Sequence, residues 1–505
     1  CRQSQVADVS VLLAVTARLC AVVAQLTYAS AAVACFDGTG NFTQAQWPFC
    51  HKVSDTLLVY YGLSQDANYL KLGVYADGHN GWSALALAGN GGMKGAQQFV
   101  VRQEGGFWVA EERYSTDYAT PQLQETQEVT LIFASMEAGN VAWGLLVPVT
   151  SCSVGERYPV EDHSRWMHWA LGSSHSFEYH TKNRGQFHLN LMSGPRTIPD
   201  MSNLKETVVK MPNVSVVFRQ GGTDASNLYI CGIFDLAELL PTGMNIADKH
   251  HVVKFAPYLD PTSGKYVHHM VLYVCTAAAA KGATYAHKQV ADGCDRRMPP
   301  GCYEIKWIWA LGSEDVVFPA DVGMPFGGSV RWLALQMHYN SPSLESGIRD
   351  SSGVRMTFSD SLRTHDAAVF DINGGASPRM RTSLPAGQES ITLPTTVVPK
   401  ECTNEWSVAS INLLGVAYHS HLVGKRYNIE VTNSGNYVGV LRREKKRDYT
   451  HQNLEPAALK TISRGDELTF IGFSQLVYLA FALSFNSSAS QQALYASCSS
   501  LSEAG

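Results

Sequence analysis

Val330-Arg-Trp-Leu-Ala-Leu-Gln-Met337 is a short run of branched, aromatic and other apolar residues that leads straight into His338 and Tyr339. Runs of roughly four to eight such residues, bounded by turn chemistry, read as strands. Val129-Thr-Leu-Ile-Phe-Ala134 and Leu476-Val-Tyr-Leu-Ala-Phe-Ala-Leu483 repeat the pattern, and Asp77-Gly78, Asn80-Gly81, Asn90-Gly91-Gly92 and Ser263-Gly264 supply the turns. Past the N-terminal stretch, no segment sustains a helical period. The expected fold is all-β, made of several sandwiches.

With 505 residues, 45% hydrophobic and only 16% charged, the chain has enough apolar side chain for several cores. It is excluded from the intrinsically disordered class. Its net charge of -5, from 39 Lys+Arg against 44 Asp+Glu, opposes broad affinity for nucleic acid or anionic membrane. Residues 9–34 are mainly apolar, with Arg2 and Arg18 as positive flanks and Ala29-Ser-Ala31 and Ala32-Val-Ala34 as cleavage sites. That layout is a secretory signal over residues 1–34, and Arg18 and Gln25 make it a poor membrane span. Nine further cysteines are scattered singly with no CxxC pair, which reads as a disulfide framework rather than a zinc or redox site. Sequons at Asn41, Asn213 and Asn486 permit glycosylation. The expected location is outside the cell or in the secretory lumen, with no membrane span; oligomeric state is left open.

Two Pro- and Ser-containing passages, Ser193-Gly-Pro-Arg-Thr-Ile-Pro199 and Asn340-Ser-Pro-Ser343, divide the mature chain into units 35–192, 193–345 and 346–505. The run Arg442-Arg-Glu-Lys-Lys-Arg-Asp448 is mixed in sign and reads as a solvated hairpin.

Histidines carry the chemistry. Three clusters lie in strand-like sequence: His268 and His269 in Tyr266-Val-His-His-Met270, His338 after Met337, and His419 and His421 in Tyr418-His-Ser-His-Leu422. Residues two apart on a strand share a face, so His419 and His421 can converge on one ion. His268 and His269 are neighbours and leave an ideal strand on opposite faces. Sharing an ion requires a bulge, a twist, or rings approaching from separate sides. An all-imidazole set with His338 suits copper, zinc, iron or nickel. The pair in Lys249-His-His-Val252 reads as a decoy.

Taken in order, Val267-His-His-Met-Val-Leu-Tyr-Val-Cys275, Trp309-Ala-Leu-Gly312, Leu335-Gln-Met-His-Tyr339 and His419-Ser-His-Leu422 resemble the copper type II, ascorbate-dependent monooxygenases, specifically their dopamine beta-hydroxylase and monooxygenase-like branch. Tyr229-Ile-Cys231, His250-His-Val-Val-Lys254, Ser352-Gly-Val-Arg355 and Arg464-Gly-Asp-Glu-Leu468 fit the same pattern. The first unit resembles a DOMON domain through Gly81-Trp82, Gly91-Gly-Met-Lys-Gly95, Trp169-Ala-Leu-Gly172, His180 and Arg184-Gly185. The resemblance implies a DOMON β-sandwich followed by two jelly-roll-like copper monooxygenase sandwiches. It implies two coppers, one held by His268, His269 and His338, the other by His419 and His421 with a methionine. Ascorbate would be the electron donor, and dioxygen and a small organic molecule the substrates. Tyr229 and His419 stand at positions the family uses in its active site. Some DOMON domains hold haem through Met and His, which would nominate Met93 with His175 or His180; packing is the reading preferred for these residues. The implied disulfides are Cys231–Cys294, Cys275–Cys302 and Cys402–Cys498; Cys50 with Cys152 would close the first unit, leaving Cys35 over.

The chain departs from the family at one ligand. Glu467-Leu-Thr-Phe-Ile-Gly472 runs directly into Phe473-Ser-Gln-Leu-Val-Tyr478, without the segment that ends in the methionine ligand. Val477 stands about where that methionine belongs, and Met380 is the last methionine in the chain. Without a soft thioether favouring the reduced metal, oxygen chemistry is expected to be impaired. A non-catalytic relative and a skipped exon both explain the gap.

Overall fold

A computed structural model of the protein describes residues 35–36, 40–88, 93–149, 160, 164–192, 201, 203–218, 225–275, 284–294, 298–311, 313, 315–328, 330–372, 391–392, 395–419, 424, 426–444, 454–455, 457, 460–473 and 478–486. Among these, strands predominate, and the one α-helix is the five-residue Lys400–Asn404. The all-β expectation holds. The signal segment, Cys152, Cys498, His421 and Val477 lie outside the described residues.

The first unit is a sandwich of a five-stranded and a six-stranded sheet. Strand periodicity sets its core: Leu85, Leu87, Phe99, Val101, Met167 and Phe187 point inward to meet Val59, Leu72, Val74, Trp143 and Leu145. The alternate residues of the six-stranded sheet, Ala84, Ala86 and Ala170 among them, face outward. Phe42 and Trp47 pack over the outer side of the five-stranded sheet with Leu58 and Tyr60.

That packing corrects one disulfide. Cys50 pairs with Cys35, Cα atoms 5.9 Å apart, not with Cys152. The aromatic cover folds the start of the unit back onto the Phe49–Lys52 strand, and the Tyr60 hydroxyl donates to the Cys35 carbonyl. Cys231–Cys294 and Cys275–Cys302 form as the resemblance implied. Cys402 is also disulfide-bonded.

The second sandwich has two sheets around one core. One sheet is five-stranded and antiparallel, in the spatial order Gln289–Asp292, Asn227–Asp235, Trp332–Asn340, Val267–Cys275, Cys302–Ala310. In its central strand Leu333, Leu335, Met337 and Tyr339 are fully buried in the core. Gln336 and His338 therefore leave on the other face. Burying each large apolar side chain contributes roughly 2 kcal/mol, so a one-residue slip, which would drive Gln336 and His338 inward, is strongly opposed. The opposite sheet includes Lys205–Lys210, Gly353–Phe358, Lys249–Tyr258 and Val322–Gly327. Pairing of Gly353–Phe358 with Lys205–Lys210 and Lys249–Tyr258 carries this sandwich past residue 345.

The sheet does not stop there. Val322 and Gly323 pair in parallel with His365 and Asp366, extending it into a ten-stranded sheet that includes Tyr478–Asn486 and Ser410–His419. Along His365–Asp371, Ala367 and Val369 enter the second unit's core while Ala368 and Phe370 enter the third's. The third core is closed by Tyr427, Ile429, Val431, Leu468 and Phe470 of a four-stranded sheet.

Candidate metal centre

An irregularity at the start of the Val267–Cys275 strand decides what its histidines do. Val267 stands opposite Tyr339, yet His269 stands opposite His338. Regular pairing would set His268 against His338, so one extra residue has entered the strand at His268. Such a bulge turns a neighbouring side chain to the face it would otherwise leave. The bulge is held from its other side by the Leu311 N–H, which donates to the His268 carbonyl at 3.2 Å. The tension between adjacent histidines is thereby resolved: both rings approach His338.

The three rings meet through the same atom. His269 Nδ1 lies 3.2 Å from His268 Nδ1 and 3.3 Å from His338 Nδ1. All three side chains are buried, at 6%, 6% and 3% exposure, so water does not separate them. Two imidazole nitrogens about 2.0 Å from one ion at a tetrahedral angle sit about 3.3 Å apart. The observed spacing fits that geometry, and among the described residues the trio is a group of side chains able to hold a metal ion. It contains no carboxylate, and neutral imidazoles alone do not suit calcium or magnesium.

Neighbouring strands fix the rings. Tyr229, directly across from His338 in register, stacks on it with centroids 4.2 Å apart and planes 4° from parallel, and meets His269 edge-on at 5.8 Å. Asn227 Oδ1 lies 2.8 Å from His338 Nε2. Gln336, on the same face, donates to the Cys294 carbonyl at 3.2 Å, tying the Cys231–Cys294 disulfide to the sheet beside the site. Asn227 and Asn340 escaped the sequence reading. The signal was present, since Asn227 is two residues from Tyr229 and so shares its face, but nothing in sequence says that His338 stands opposite.

The other predicted ligands fall largely outside the described residues. His419 is the last residue of Ser410–His419, its backbone opposite Tyr478. Its side chain, like His421, lies outside the description. Beside it Tyr418 is buried, its hydroxyl donating to the Arg442 carbonyl at 2.6 Å, with the Arg442 guanidinium over its ring.

The pair read as a decoy is one by geometry. His250 and His251 stand in regular register with Phe326 and Pro325. His250 Nε2 contacts the Asn245 carbonyl at the surface. His251 turns inward, its Nδ1 accepting from the Arg363 N–H and its Nε2 2.9 Å from Asp366 Oδ1, where Lys249 Nζ also binds at 2.7 Å. Burial alone would raise the Asp366 carboxyl, but hydrogen bonds and charge from His251 and Lys249 outweigh it and hold it below the usual carboxylate range.

A separate cavity of about 680 Å³ lies on the outer face of the first unit's six-stranded sheet. Ala84, Ala86 and Ala170 line it along with Trp82, Phe177 and Tyr179. Met93 and His180 also line it; His175 does not figure in its wall.

Residues 210–346 match the copper type II ascorbate-dependent monooxygenase, N-terminal domain. The chain is 30% identical to bovine (Bos taurus) dopamine beta-hydroxylase over 223 residues, covering 43% of this chain and 34% of that protein. It is 22% identical to the rat (Rattus norvegicus) dopamine beta-hydroxylase over 429 residues, covering 82% and 65%. It is 23% identical to chicken (Gallus gallus) DBH-like monooxygenase protein 1 over 407 residues, covering 77% and 62%. The chain thus spans between about a third and two thirds of the length of these relatives.

Proposed function

Because the chain belongs to the copper type II, ascorbate-dependent monooxygenase family, we propose that His268, His269 and His338 hold the copper that receives electrons from ascorbate. The observation carrying this is the approach of three buried Nδ1 atoms at an imidazole–metal–imidazole spacing. Copper there would pass single electrons, since imidazole tolerates both of its oxidation states. The surrounding residues fix the rings: Tyr229 by stacking, the bulge at His268 by direction. Burial keeps water off the donors. We read Tyr229 as an active-site residue through this contact with His338 and His269.

By family, the reaction is hydroxylation of a C–H bond in a small organic substrate by dioxygen, in the cleft between the two copper domains. His419 and His421 would hold the second copper, with His419 in the catalytic role. The missing methionine leaves that site without its soft donor, and we infer that turnover is impaired. A second reading rests on that gap: a non-catalytic, exported copper-binding or adhesion protein retaining the first site. Three observed disulfides favour an oxidising compartment, hence export and glycosylation. No helix among the described residues is long and apolar enough to cross a membrane. We assign the first unit to a DOMON-type sandwich, its cavity a ligand pocket apart from the copper chemistry. The other two units are copper domains, with their division placed after Phe358 rather than at 345 because of the strand pairing there.

Metal analysis combined with ascorbate-dependent oxygen uptake tests this. Two coppers with turnover support the enzyme, and one copper without turnover supports the second reading. A chain that takes up no copper overturns both.

A further inference from the structure

Three histidines facing one another through Nδ1 raise a question of protons. A neutral imidazole has one N–H and one lone pair, and only the lone pair binds metal. For His338 the lone pair must lie on Nδ1, which requires the proton on Nε2. Something must hold it there.

We propose that Asn227 is a positioning residue that locks His338 in this tautomer, and that Asn340 fixes the direction of the Asn227 amide. The inference rests on the metal reading of the histidine trio. Asn227 Oδ1 lies 2.8 Å from His338 Nε2, and the Asn340 Nδ2 group donates to the same oxygen at 2.9 Å. Asn340 Nδ2 also reaches the Ser226 backbone carbonyl at 3.4 Å. The two asparagines face one another across paired strands, two positions along from the Tyr229–His338 pair, so all four residues lie on one face of the sheet.

The polarity of the chain starts at a group that cannot turn over. A backbone carbonyl only accepts, so Asn340 turns its NH2 toward Ser226 and, with the same nitrogen, toward Asn227. Asn227 answers with oxygen. Its oxygen then accepts from His338 Nε2–H, which leaves Nδ1 with its lone pair toward His269 and His268. Reversing the Asn227 amide would set its NH2 against that of Asn340 and against a histidine N–H, two donor–donor clashes. The clash with His338 would be relieved only by moving its proton to Nδ1, where it would point at His269 Nδ1 and remove one ligand, and the clash with Asn340 would remain. Tyr229, stacked on the ring, keeps His338 from swinging out of this bond. Outer groups of this kind raise metal affinity by orienting the ligand and setting its tautomer.

The test uses the full chain with Asn227→Leu, which removes the acceptor, and Asn227→Asp, which keeps it. Imidazole 15N shifts of the metal-free protein, with His338 assigned by loss of its signals in His338→Gln, read the tautomer. Competition with a chelator reads copper(I) affinity at the trio. The parent should show Nε2–H at His338. Asn227→Leu should mix the tautomers and weaken copper by about 10- to 100-fold, with Asn227→Asp within a few-fold of the parent. An Nδ1–H tautomer in the parent overturns the proposal, as does a folded Asn227→Leu protein with unchanged tautomer and affinity. If the parent takes no copper at the trio, the metal reading fails by itself, and the metal-free tautomer still decides the role of Asn227.

Discussion

The two His-His pairs sit on opposite sheets of the same sandwich, 18 residues apart, and meet different fates. His250 and His251 follow an unbroken register, so one ring goes to the surface and the other inward to a carboxylate and a lysine. His268 and His269 straddle a bulge, so both rings turn to a third imidazole. Composition does not separate the pairs. One inserted backbone residue does, together with what stands across the sheet: Asp366 in one case, His338 in the other. A histidine that meets a carboxylate donates its N–H there, whereas histidines that turn to one another leave lone pairs to share.

The comparison breaks most visibly at the metal. His338→Ala should lower copper affinity at the trio by more than the roughly 100-fold typical of outer groups. His251→Ala should leave it within about twofold; equal losses in a chelator titration would show that the pairs are not chemically distinct. In stability the order reverses. His251→Ala strips Asp366 of one buried partner and should cost about 3 kcal/mol in a denaturant melt, while His338→Ala, relieving crowded imidazoles, should cost less.

Acid offers a finer separation. The Asp366 carboxyl is held below its ordinary range, so its contribution is fully present above the unfolded carboxylate value near 4. It is lost as pH falls through the lower folded value. Asp366→Asn should therefore flatten the acid limb of stability below about pH 4, at a cost of about 2 kcal/mol at neutral pH. A melt series in which parent and variant fall in parallel would remove Asp366 from the acid response. The smallest effect belongs to the stack: Tyr229→Leu should weaken copper by about fivefold, near 1 kcal/mol, seen in the same titration.

Much of the fold was legible because strand chemistry is local. The run ending at Met337 and the turn pairs identify sheets without reference to anything distant, and the histidine clusters carried their family with them. What was not legible depends on partners far along the chain. The bulge exists because of how Val267 and His269 register against Tyr339 and His338, some 70 residues away, and period-two reasoning can only mark it as needed. Pairing Cys50 with Cys152 to close the first unit misses the aromatic cover of Phe42 and Trp47 that returns Cys35 to Cys50. Asn227 was passed over because an amide gains meaning only from the ring opposite. His419 and His421 satisfy the spacing rule, and the partner that would complete their site is absent from the sequence itself.

The His365–Asp371 strand, with alternate residues in two cores, has a consequence for how the molecule comes apart. Neither sandwich can melt without exposing half of a strand the other depends on. The histidine-bearing sandwich and its successor are therefore one thermodynamic unit, joined through a shared polypeptide segment. A calorimetric scan should record them as one endotherm, with the first sandwich, whose core shares no strand with theirs among the described residues, free to contribute its own.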